Sequence, residues 1–104
     1  MSEYRIVFVT VPSMQEAKKI AKEVLSKRMA ACVNIVPKLT SLYIWNDEIC
    51  EDEELLLLIK TKKEHLKALE GLVKKLHSYE VPEFVAMEIV EGSKEYLAWI
   101  EGVL

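Results

Sequence analysis

The chain has 104 residues, 51% of them hydrophobic and 30% charged, with a formal net charge of -3. This is one folded domain, 1–104, large enough to bury roughly 65% of its unfolded surface without disulfides. The charge balance argues against a nucleic-acid binder, which needs a concentrated basic face, and no run nears the roughly 20 apolar residues that span a bilayer.

Residues 4–11, Tyr-Arg-Ile-Val-Phe-Val-Thr-Val, are β-branched and aromatic and predict a strand that Pro12 ends. Ser13 with Glu16 is a capping-box pattern. Ala17, Ile20, Ala21, Val24 and Leu25 then recur at helical spacing, predicting a helix to about Met29. Residues 31–36 predict a second strand, interrupted at Pro37 and resumed over 39–45. Asn46-Asp47 is a turn signal, and the mostly acidic 48–53 lead into Leu55–Ile59, a strand ending near Lys60-Thr61. Leu66, Leu69, Leu72, Val73 and Leu76 mark a helix over 63–76; 77–82 is a loop, and 84–90 the last main strand. Gly92-Ser93 opens a short helix with Tyr96, Leu97, Trp99 and Ile100.

The order β-α-β-β-α-β predicts an α+β fold, a ferredoxin-like sandwich with both main helices on one sheet face. Strands covered on one face should alternate apolar with polar. Ile6–Val9 and Leu55–Ile59 are instead apolar on both faces. Half of those side chains would face water, which forgoes about 1.5–3 kcal/mol for each large aliphatic, so the second face predicts an interface. The short last helix reaches only ~12 Å and covers part of it. Residues 31–45 would span ~50 Å extended, against a domain diameter of roughly 33 Å. The hairpin must therefore bend near Pro37 or project, with Tyr43, Ile44 and Trp45, onto a partner.

No phosphate-binding glycine loop, nucleophile elbow or zincin motif is present, and neither arginine, Arg5 or Arg28, sits in a phosphate cradle, so the protein is not read as an enzyme. His65 reads as a solvated residue of the second helix. His77 opens His-Ser-Tyr-Glu-Val-Pro, and two readings stand: a helix C-cap on a rigid turn, or a ligand or metal site. Cys32, mid-strand, is either a small core residue or a soft metal ligand beside an imidazole. Glu51–Glu54 read as a solvated strand start or a weak divalent-cation attractor. Lys60-Thr61 end a strand, where a cation and a hydroxyl can meet a ligand. Two thiols, Cys32 and Cys50, outside any C-x-x-C pair suit a reducing compartment, and the N-terminus shows no signal-peptide pattern, so the expected location is the cytoplasm.

The segments Ala31-Cys32-Val33-Asn34, Ser41-Leu42-Tyr43-Ile44-Trp45, Ile49 with Glu54, Lys60-Thr61, His77-x-Tyr79-Glu80-Val81-Pro82 and Tyr96-Leu97-x-Trp99 together resemble the CutA divalent-cation tolerance proteins over essentially the whole chain. The resemblance implies a ferredoxin-like domain assembled as a homotrimer similar to PII-type signalling proteins. It also implies a link to tolerance of copper and other divalent metals. Some members use a first-strand cysteine and a His-His pair as copper ligands. Here those positions are Val9 and Leu76-His77, so only His77 carries over; Ser78 and Asp47 also depart from the family's Pro and Gly. The candidate metal residues are therefore His77, which the resemblance carries over, and Cys32, read from its own chemistry as a soft ligand. The implied lining of a cleft between subunits is Tyr43, Trp45, Glu54, Lys60, Thr61 and Tyr79. The alternative function is a PII-like module that binds a metabolite and signals to an unidentified partner protein.

Overall fold

Residues 2–104 are described by a computed structural model. Four strands, β1 (Tyr4–Val11), β2 (Cys32–Trp45), β3 (Glu48–Lys62) and β4 (Val85–Glu88), form one antiparallel sheet in the order β2-β3-β1-β4. Helix α1 (Met14–Ser26) joins β1 to β2, and α2 (Leu66–Leu76), preceded by a 3-10 turn at Lys63–His65, joins β3 to β4. Both helices pack on one face. There Val7, Val9 and Val11 of β1, Leu57 and Ile59 of β3, Ile20 and Val24 of α1, and Leu69 and Val73 of α2 make one dry cluster. The ferredoxin-like reading holds.

The Ser13 hydroxyl caps α1, accepting the Glu16 N–H at 3.2 Å. The helix stops three residues before Met29 because Arg28 turns left-handed, with φ 56°. Arg28 N–H then donates to the Leu25 carbonyl and Met29 N–H to that of Val24, a Schellman closure. Pro37 does not break β2. It sits in a bulge between Val36 and Leu39, where Lys38 has φ 61°, and the ladder resumes beyond it. Proline is tolerated because β2 is an edge strand that pairs only with β3.

The acidic stretch 48–53, expected to lead into a strand, belongs to β3, since residues 39–45 offer its backbone a full ladder. In turn β4 is shorter than the expected 84–90. It can pair only as far as β1 extends, and the ladder closes with Ile89 N–H donating to the Tyr4 carbonyl.

The second sheet face is apolar and thinly covered. Ile6, Phe8, Leu56 and Leu58 are half-buried, and Val85 and Met87 of β4 are 49% and 51% exposed. Helix α3 (Lys94–Val103) covers one end, burying Ile100 and joining Glu101 to Lys62 at 2.9 Å. The β2-β3 hairpin projects past the domain. The molecule is 44 Å long but only 26 by 24 Å across, and Ile44 and Ile49 near the tip are 75% and 78% exposed. Among the described residues no helix is long and apolar enough to cross a membrane.

Candidate functional site

A cleft of about 610 Å³ opens at the root of the hairpin. The strand β2 contributes Thr40, Ser41, Leu42, Tyr43 and Trp45; β3 contributes Asp52 and Glu54. The end of β1 adds Thr10, and the loop after α2 adds Tyr79, Glu80, Val81 and Glu83. The register puts these groups together. Ser41 lies opposite Asp52 and Tyr43 opposite Cys50, so alternate residues of both strands share the cleft wall.

Two phenol–carboxylate pairs dominate the wall. The Tyr43 hydroxyl donates to Asp52, and the Tyr79 hydroxyl donates to Glu54 Oε2 at 2.7 Å. The hydrogen bond to Asp52, with partial desolvation and that carboxylate's charge, pushes the Tyr43 phenol up to about 12. Burial, then the bond to Glu54, holds the Tyr79 phenol well above its ordinary range. Burial and the charge of Glu54 also raise the Glu83 carboxyl. Four carboxylates and no lysine or arginine line the cleft.

His77 stands behind this wall and is buried. Its Nδ1 accepts the Tyr79 N–H at 3.0 Å, which assigns the ring proton to Nε2, donated to the Thr10 carbonyl at 2.7 Å. Glu16, expected to complete the capping box, instead accepts the Ser78 N–H at 3.1 Å and lies 3.3 Å from Nδ1. The ring also packs on that of Tyr79, centroids 4.6 Å apart. Through these contacts His77 pins the loop to β1 and α1 and thereby aims Tyr79 at Glu54.

The other expected site residues lie elsewhere. Cys32 is half-buried at the start of β2, opposite Lys60. The Lys60 ammonium donates to the Asn34 side chain, with the Cys32 thiol 3.9 Å from that oxygen. Tyr96 of α3 adjoins this group, its phenol raised by burial and by Cys32. Thr61 is fully buried, its hydroxyl donating to the Met29 carbonyl at 2.6 Å. One chain therefore gathers Tyr43, Trp45, Glu54 and Tyr79, but not Lys60 or Thr61. Asp52 and Glu80 lie in segments the sequence singled out, the acidic run and the His77 loop, but were not assigned to this cleft, and Glu83 lay outside both; the alternation across the Asn46-Asp47 turn was the signal for Asp52.

A resident metal does not fit these groups within one chain. Both His77 nitrogens are engaged, Cys32 sits at the far end of β2 from the hairpin, and Asp52 and Glu54 each already accept a phenolic proton. Among the described residues no three His, Cys, Asp or Glu side chains converge on a metal position.

Fold and site together define a small ferredoxin-like α+β protein with an acidic, aromatic cleft at the root of an overlong hairpin. Residues 5–103 match the family model described as CutA1 divalent ion tolerance protein. The chain is 54% identical over 95 residues to the divalent-cation tolerance protein CutA of Thermus thermophilus, covering 91% of this chain and 92% of that one. Human protein CutA is 45% identical over 96 residues; the match takes in 92% of this chain but spans only 54% of the human protein. The crystal structure of CutA from Xylella fastidiosa superposes with a TM-score of 0.95 at 35% identity, over 98% of each chain. The chain belongs to the CutA divalent-ion tolerance family.

Proposed function

We propose that this chain acts as a homotrimeric binding protein in tolerance of divalent metals, copper among them, and not as an enzyme. A positively charged ion or small ligand is held in the acidic clefts, and any metal is bound where copies meet. The observation that carries this reading is the cleft itself: four carboxylates and three aromatic side chains beside an apolar sheet face left open. Its phenols keep their protons and their carboxylates already accept hydrogen bonds, a set suited to holding a ligand more than to proton transfer. The open face and the hairpin supply surfaces that two further copies would cover. The two free thiols support a cytoplasmic location.

Sedimentation equilibrium is expected to return three times the 12.0 kDa chain mass. Titration with Cu(II) or Zn(II) is expected to change Trp45 fluorescence, and His77→Ala to weaken the response by loosening the Tyr79 loop. A 12.0 kDa species at micromolar concentration would sink the assembly; a flat metal titration would sink the metal link.

The volume of the cleft favours a second reading, a PII-like module that binds a metabolite and passes its state to a partner protein. About 610 Å³ suits an organic molecule better than a bare ion. Ligand-dependent capture of one partner protein would support it.

A further inference from the structure

We infer that the cleft takes an organic cation, an amine or guanidinium compound, in place of a bare divalent ion; this rests on reading the cleft as the ligand site. Size is the first argument. The cleft's volume lies within the roughly 300–1,000 Å³ of pockets that enclose small organic molecules, and an ion would leave most of it to water.

The lining is the second. Tyr43, Trp45 and Tyr79 bring three aromatic rings to one cavity, and ring faces attract cations through their quadrupoles. Leu42 and Val81 offer apolar surface for a methylene chain. With four carboxylates and no lysine or arginine in the wall, an anion such as a nucleotide would meet net repulsion.

Donor chemistry is the third. A dehydrated divalent ion needs several oxygens, nitrogens or sulfurs converging at about 2.0–2.6 Å. Such a set of His, Cys, Asp and Glu is absent among the described residues. An ammonium asks for less. Asp52 and Glu54 each accept one phenolic proton, which leaves each a second carboxylate oxygen for an N–H donor. Cation–π attraction would hold the charge while those oxygens orient it.

Calorimetry of the assembled protein with agmatine and spermidine tests this, with 1,4-butanediol as neutral control and a lysine-rich peptide as a second source of the same charge. The expected result is saturable binding of both amines that weakens with salt and is absent for the diol. Binding should weaken about tenfold in Trp45→Ala. Asp52→Asn, which keeps the shape of the wall, should weaken it too. Trp45 is nearly half exposed, so its removal leaves the core intact. Peptide binding tighter than spermidine would place the amine on a protein; tighter spermidine would make it a free metabolite. No saturable amine binding at millimolar concentration, or equal binding of the diol, overturns the inference. Trimer mass and Cu(II) response, measured on the same sample, fail or hold independently.

Discussion

Tyr43 and Tyr79 each donate a phenolic proton to a carboxylate, so each keeps it beyond the range in which a free phenol would ionise. The folded chain then binds a proton that the unfolded chain gives up above pH 10, the ordinary phenol value. The resulting stability is fully present below pH 10 and is lost as pH rises through about 12 for Tyr43. The unfolding temperature should therefore fall on that alkaline limb, and Tyr43→Phe should flatten part of the fall; thermal unfolding across pH checks it. His77 acts at the same scale by bonding rather than charge. Replacing it with Phe leaves the Thr10 carbonyl and the Tyr79 N–H without partners. The expected loss is about 1–3 kcal/mol, read by denaturant unfolding, with faster hydrogen exchange at the Tyr79 amide. Unchanged exchange there would mean that the imidazole does not pin the loop.

Two residues set the hairpin turn, Asn46 with φ 51° and Asp47 with φ 63°, and Trp45 pairs with Glu48 across them. A two-residue turn with both φ values positive matches the right-handed twist of the flanking strands and favours glycine second. Asp47→Gly should raise stability by about 0.5–1 kcal/mol without moving the register, measured as a higher melting temperature. At this scale the sequence was largely readable. Each helix announced itself by apolar spacing, and the turn by Asn46-Asp47. What stayed hidden has a common cause: a backbone partner distant in sequence overrode a local signal. Pro37 read as an interruption because nothing local tells a bulge on an edge strand from a break. The acids of 48–53 read as a solvated lead-in because only their ladder with residues 39–45 makes them strand. The cleft was half legible. Tyr43, Trp45, Glu54 and Tyr79, named from the sequence, line one cleft within the chain, whereas the burial of Thr61 in the core and the turn of Lys60 toward Asn34 depend on side-chain directions that no local pattern carries.

The whole molecule is a well-packed sandwich attached to surfaces its own fold does not use. Ile44 and Ile49, paired across the hairpin near its tip, are mostly exposed and contribute nothing to the dry cluster. Ile49→Lys should therefore leave the thermal unfolding of the sheet nearly unchanged while shifting the sedimenting mass toward smaller species. Unchanged mass would mean that the hairpin tip takes no part in any assembly.

The hairpin also poses a hazard before any assembly. It ends a long edge strand that bears aliphatic and aromatic side chains, and such edges template pairing between like chains. Glu48, Glu51, Asp52 and Glu53 are interspersed along the partner strand, where stacking a second hairpin in register would bring like charges together. Like charges so placed would disfavour an endless in-register stack of hairpins. Neutralising it should leave the fold intact and shorten the lag before fibrils appear.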